Sequence, residues 1–111
     1  MTIPARGDLV WLDFDSQAGR EQAGRRPAIV LSEADFNDLT GFALVCPITN
    51  QVKEYPFEVQ LPDGLPFTGV VLTDQLKSLD VRIRKIKVGG SIPIESDTMK
   101  AILRNTRSIL A

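Results

Sequence analysis

Glu21, Arg25 and Arg26 share one polar stretch, Glu21-Gln22-Ala23-Gly24-Arg25-Arg26, which runs straight into the apolar segment Pro27-Ala28-Ile29-Val30-Leu31. Pro27 fixes its own φ and biases Arg26 toward an extended backbone, so the Arg26 guanidinium is held at a strand mouth. A fixed Arg beside a second Arg and a carboxylate suits a planar, multiply charged group such as phosphate. The same residues also fit a surface loop with an ion pair, and the i,i+4 spacing of Glu21 and Arg25 fits a capped turn. Two further polar clusters interrupt apolar segments. Thr49-Asn50-Gln51 follows one apolar run, and Thr73-Asp74-Gln75-Leu76-Lys77-Ser78 follows another. Either cluster is also compatible with ordinary turn residues.

The chain has no histidine. That removes the usual general acid–base at neutral pH and the commonest metal ligand, and it excludes Ser/His/Asp and Cys/His triads. Phosphoryl transfer within RNA suits what remains, because the nucleophile is the substrate's own 2′-hydroxyl. The protein then needs donors aimed at a phosphate that gains charge, and a group that moves a proton. Arg26 and Thr49 supply donors, each worth roughly 10²–10³-fold when preorganised. Glu21 serves either as proton acceptor or as the group that orients Arg26. A guanidinium titrates above about pH 12 and makes a poor base at neutral pH, so Glu21 is the easier base. No glycine-rich phosphate loop is present, which argues against nucleoside triphosphates.

These residues must be positioned by short strands. Asp8 to Phe14 reads as a first strand with apolar side chains on both parities, so Trp11 and Phe14 are expected in the core. Pro27 to Ser32 is a second strand, and Asp35 to Gly41 a helical turn or loop that Gly41 ends. Phe42 to Ile48 is a third strand, whose pairing should break or bulge at Pro47. Consecutive strands two and three, if antiparallel, bring Arg26 near Thr49. Phe57–Leu61 and Val70–Thr73 form a hairpin around Pro62-Asp63-Gly64. Residues 81–88 alternate with a phase slip, which predicts a strand bulged near Arg84–Lys85 that keeps Val81, Ile83, Ile86 and Val88 inward. Gly89-Gly90-Ser91 then breaks the chain. Pro93 suits a helix's first turn, and Met99, Ile102, Leu103, Thr106, Ile109 and Leu110 follow helical spacing. The fold class is therefore mainly β, a small, bent antiparallel sheet or partial barrel with a C-terminal helix.

At 111 residues, with 43% hydrophobic and 24% charged side chains, the chain is expected to form a single domain over 1–111. No apolar run approaches the roughly 20 residues that span a bilayer, no secretory h-region is visible, and the single cysteine, Cys46, forms no internal disulfide. Cys46 is expected to be a buried, inert thiol, and a cytoplasmic setting fits. Net charge is −1, yet residues 1–76 carry five basic and eleven acidic side chains while residues 77–111 carry eight basic and three acidic. A local basic face on a near-neutral protein is compatible with a contained nucleic-acid site, though it equally fits a solvated face.

Several segments, in order, resemble the MazF/PemK family of toxin endoribonucleases: Arg6-Gly7-Asp8-Leu9-Val10-Trp11, Glu21 to Gly24 with Arg26-Pro27-Ala28, Val45 to Thr49, Tyr55 to Val59, and Asp74-Gln75 with Lys77-Ser78. The resemblance covers roughly residues 6–80. It implies an SH3-like barrel with a C-terminal helix, working as a homodimer. It further implies sequence-selective, metal-independent, cofactor-free cleavage of single-stranded RNA (mRNA) at short sequences, to 2′,3′-cyclic phosphate and 5′-hydroxyl ends. Inhibition by a cognate antitoxin with an acidic, partly disordered tail is implied too. Arg26 and Thr49 fall on the family's catalytic pair and Glu21 on its supporting carboxylate. Arg25 lies where an RNA-contacting basic residue is common, and Asn50 stands where a second hydroxyl is frequent. Asn50, Gln51, Gln75 and Lys77 join Arg25 as candidate RNA contacts. The alternative on a similar scaffold is a non-enzymatic, CcdB-type gyrase poison. Such proteins act through a C-terminal tryptophan, and this chain ends Ser108-Ile109-Leu110-Ala111. A catalytically inert RNA-binding barrel is a third reading.

Overall fold

Alternation of apolar side chains through β1 (Asp8–Asp13), β2 (Arg25–Val30) and β3 (Phe42–Thr49) builds two cores, one on each face of a single sheet. Leu9, Ile29, Cys46 and Ile48 enter one core, which Met99 and Ile102 of the C-terminal helix complete. Val10, Leu12, Ala28, Val30, Ala43 and Val45 enter the other, together with Leu79 and Val81. The computed structural model describes residues 3–13 and 25–110. Phe14 and Glu21 lie outside the described residues.

The remaining elements are α1 (Ala34–Thr40), β4 (Glu58–Gln60), β5 (Val70–Leu72), a 3-10 turn (Thr73–Gln75), β6 (Lys77–Asp80), β7 (Lys87–Ser91) and α2 (Asp97–Leu110). Every strand pair is antiparallel. The described strands run β4-β5-β3-β2-β1-β7, and β6 pairs with a second stretch of β3. The mainly-β class with a C-terminal helix is as the sequence implies. Among the described residues β4, β6 and β7 each pair with a single strand and remain edges, so the sheet is open.

Three local expectations are corrected. Residues 81–85 form a turn between β6 and β7 and not part of a continuous strand. The Asp80 carboxylate accepts the Arg82 backbone N–H at 2.9 Å and pairs with its guanidinium at 3.5 Å, a local bond that competes with strand pairing. Lys85 sits at φ 53°, near the predicted irregularity, but only Val81 is fully buried; Ile83 is 64% exposed and Val88 is also exposed. Gly89 and Gly90 lie within β7, not in a break. A Cβ at either would meet the ring of Phe67 (2.9 Å) or Pro66 (3.0 Å) in the loop packed across them. Trp11 is 38% exposed, on the same parity as Leu9, and stacks against Phe67 with ring centroids 4.9 Å apart.

α2 begins later than Pro93 suggests. Ser96 caps it by accepting the Met99 N–H at 3.1 Å, while Pro93 closes the preceding turn. Met99, Ile102 and Thr106 are buried, whereas Ile109 and Leu110 are exposed at its end.

Candidate active site

The polar start of β2 and the polar end of β3 meet because the two strands pair antiparallel, with Ala28 opposite Pro47 and Ile29 opposite Cys46. Carrying that register two residues further sets Arg26 opposite Thr49. Both side chains fall on one parity, the face of Ala28 and Val45.

The space in front of them comes from a change of partner on the other edge of β3. Phe42–Val45 pair with β6, and Ile48–Thr49 pair with β5. Between them the neighbouring strands diverge, joined by the 3-10 turn. Pro47, which has no N–H, occupies the divergence, so the gap leaves no orphan donor there. β3 itself runs through Pro47 unbroken, and the expected disruption takes the form of this switch. The opening is a cavity of about 550 Å³ with Pro47, Ile48, Leu72 and Leu79 as apolar lining and Arg26, Thr49, Gln75 and Lys77 as polar lining.

Thr49 is oriented by its own turn. Its Oγ1 accepts the Gln51 N–H at 3.1 Å, which leaves the hydroxyl proton available for donation. Gly69 packs against the Thr49 carbonyl at φ 111°, where any Cβ would overlap that oxygen. The Thr49 backbone is thus held from both sides.

The other sequence candidates divide. Gln75 and Lys77 line the cavity with Arg26 and Thr49, and Gln51 lines a smaller hollow beside it. Asn50 lines neither, because its Oδ1 accepts the Thr68 hydroxyl at 2.9 Å. Arg25 points away: its Nη2 donates to the carbonyls of Lys85 (2.6 Å) and Trp11 (3.2 Å), and Nη1 lies 3.9 Å from Asp13. It ties β1 to the 81–86 turn. Glu21 lies outside the described residues. Cys46 is fully buried, and burial together with the nearby Asp74 carboxylate pushes its thiol up to about 12. Lys53, Tyr55, Glu58 and the apolar lining were not singled out as site residues. Pro47, read as a pairing break, was the one sequence signal pointing there.

Residues 5–110 match the family described as the PemK-like, MazF-like toxin of type II toxin–antitoxin systems. The chain belongs to this family. It is 48% identical over 100 residues to the endoribonuclease toxin MazF of Escherichia coli K12, covering 89% of each chain. It is 43% identical over 105 residues to the endoribonuclease toxin ChpB of the same strain, covering 89% of this chain and 88% of ChpB. The crystal structure of MazF from Deinococcus radiodurans superposes with a TM-score of 0.87 at 45% identity, over 99% of this chain and 98% of that one. A MazE–MazF crystal structure from that organism gives 0.88 at 44% identity, over 98% and 97%. These relatives do not favour the gyrase-poison alternative.

Proposed function

We propose that this chain is an endoribonuclease toxin that cuts single-stranded RNA without a metal, with Arg26 and Thr49 as its phosphate-activating pair. The supporting observation is their shared placement, opposite each other in register and lining one cavity at the divergence of β5 and β6. Likeness to endoribonuclease toxins over most of the chain supports the substrate class.

In the proposed step the 2′-oxygen attacks phosphorus, an O2′–P bond forms and the P–O5′ bond breaks. Products are a 2′,3′-cyclic phosphate and a 5′-hydroxyl. Arg26 and the Thr49 hydroxyl donate to the non-bridging oxygens as their charge grows. Glu21 takes the 2′ proton, a guanidinium being too weakly acidic to stand deprotonated at neutral pH. The leaving 5′-oxygen takes a proton from solvent. Lys77 lines the same cavity and adds positive charge near the strand.

A homodimer neutralised by an antitoxin with an acidic, partly disordered tail completes the reading, in the cytoplasm. Among the described residues no helix is long and apolar enough to cross a membrane. Phe36, Leu44, Leu76, Leu103 and Leu110 line an apolar groove of about 420 Å³ between α1 and the end of α2, a surface suited to protein contact. The MazE–MazF assembly of the Deinococcus relative supports the antitoxin.

The test uses an unstructured RNA and the same strand carrying one 2′-deoxy sugar at the cut, each with and without a chelator. Cleavage of the ribose strand alone, unaffected by chelation, is expected. Cutting of both strands, or loss of activity with chelator, rejects the mechanism. Intact RNA alongside inhibited gyrase would restore the alternative.

A further inference from the structure

The ladder between β2 and β3 runs from Val30–Val45 to Ala28–Pro47 and stops there. On its other side β2 stays paired with β1 to its first residue, with Leu12 opposite Arg26 and Asp13 opposite Arg25. The position of Arg26 therefore depends on β1, which ends at Asp13. Pro27 stands opposite Trp11 and has no N–H to give. The Trp11 carbonyl accepts from Arg25 Nη2 at 3.2 Å.

The same nitrogen donates to the Lys85 carbonyl at 2.6 Å, so one side chain reaches from the first residue of β2 past β1 to the 81–86 turn. That turn is itself held at both ends. The Arg84 carbonyl accepts the Asp13 N–H at 3.0 Å, and Arg84 Nη1 donates to the Asp13 carbonyl at 3.1 Å. At the other end the Val81 N–H donates to the Gly41 carbonyl at 3.1 Å, and the Arg82 guanidinium lies so close to Gly41 that a Cβ there would overlap it. Both Nη2 hydrogens of Arg25 are thus given to carbonyls of a fixed support, and Nη1 lies 3.9 Å from the Asp13 carboxylate. A guanidinium engaged in this way is not a free phosphate contact, although its residue type and place in the chain suggest one.

We infer that Arg25 is a positioning residue for the proposed reaction: its guanidinium braces the mouth of β2 against β1 and the 81–86 turn, and so fixes where the Arg26 guanidinium stands in the cavity. This rests on the RNA-cleaving reading above. Arg26 has Pro27 on one side, which sets its backbone, and Arg25 on the other, which anchors it. Without the anchor the cavity and its charge remain, but the donor aimed at the phosphate loses its fixed geometry, and preorganisation is what gives such a donor its worth. A lysine at position 25 keeps the charge and lacks the planar fork that joins two carbonyls.

The experiment measures steady-state cleavage of a short fluorogenic RNA over a range of salt by the wild type, Arg25→Ala and Arg25→Lys, with amide hydrogen exchange read by NMR on the same proteins. Both variants should lose roughly ten- to a hundredfold in kcat, the scale of an ångström misplacement of a reacting group, with KM and its salt dependence unchanged. Exchange should quicken at Arg26 and Leu12 and stay as it was at Ile29 and Val30. A raised KM with a log–log salt slope shallower by about one, restored by Arg25→Lys, makes Arg25 an RNA contact and overturns the inference. Unchanged exchange at Arg26, or unchanged kcat in both variants, overturns it too and leaves the nuclease reading standing. Absence of cleavage by the wild type overturns the nuclease reading itself, and the catalytic meaning of the brace with it.

Discussion

Replacing Thr49 by valine exchanges one hydroxyl for a methyl and keeps the β-branched shape that suits the end of β3. Two losses follow, and they can be measured apart. The Gln51 N–H loses the acceptor it has at 3.1 Å, a neutral, exposed hydrogen bond whose net worth is about 0.5–1.5 kcal/mol. If the hydroxyl also donates to the phosphate as it gains charge, the rate falls by roughly 10²–10³-fold, or about 3–4 kcal/mol of barrier. The assay is single-turnover cleavage of a short fluorogenic RNA, with thermal unfolding of the same preparations. Thr49→Val should unfold slightly earlier and cut at least about a hundredfold more slowly. Thr49→Ser, which restores the hydroxyl, should recover most of the rate. Arg26→Ala should lose at least about a hundredfold, and the double variant should lose less than the product of the two, since both groups act on one phosphate. A Thr49→Val protein that unfolds early but cuts within a few-fold of wild type would make Thr49 a turn residue only, and the pairing with Arg26 would have no chemical meaning.

Other consequences are independent of catalysis. Gly69→Ala puts a Cβ into the Thr49 carbonyl at φ 111° and should cost more than about 1 kcal/mol in denaturant unfolding while lowering activity through Thr49. The chain's single tyrosine makes an ultraviolet titration specific: the hydrogen bond to Asp74 raises the Tyr55 pKa, so Asp74→Asn should bring the midpoint back down. Because the folded value is the higher one, the stability involved is present below about pH 10, the ordinary tyrosine range, and lost as pH rises through the folded pKa. Asp80 runs the other way. The Arg82 N–H lowers its pKa, so its contribution is present above the ordinary carboxylate range and lost as pH falls through the folded value. Asp80→Asn should therefore flatten the acid limb of a melting-temperature series. Cys46, buried and raised to about 12, should resist thiol reagents at pH 8 until the protein unfolds.

The sequence carried the site further than it carried the strands around it. Pro27 and the polar flanks of two apolar runs were enough to predict that Arg26 and Thr49 would meet, because antiparallel neighbours bring a start and a finish to the same edge. Alternation also marked β1 to β3, whose two apolar parities become two cores. Residues 81–88 were misread because alternation reports on side chains only. The Asp80 carboxylate captures a backbone N–H two residues on, a bond with no hydrophobic signature, and the chain turns. Apolar side chains on both parities of β1 point Trp11 to the core, yet its ring packs against Phe67 and stays 38% exposed. Lys53 and Tyr55 sit in a segment without periodicity and Glu58 opens the short strand after it, so nothing local linked them to Thr49. Their placement depends on bonds to Asp74 and to backbone groups that only the folded chain brings within reach.

Arg25 and Arg26 show how much of the proposed site rests on strand parity. They are the same residue type, adjacent in sequence and both exposed, but Arg26 faces the cavity and Arg25 is bound to carbonyls of Trp11 and Lys85. Type and charge cannot separate them; the period of two in a strand does. The register Ala28–Pro47 fixes which guanidinium stands opposite Thr49. A one-residue deletion at Arg25 leaves an Arg at the strand mouth and should spare the cavity while removing the tie to the 81–86 turn. A one-residue insertion between Arg26 and Ala28 carries Arg26 to the opposite face, and should abolish cleavage with little change in composition or net charge. Activity that survived the insertion would show that the phosphate is held by charge near the strand mouth, with no need for a particular guanidinium facing a particular hydroxyl.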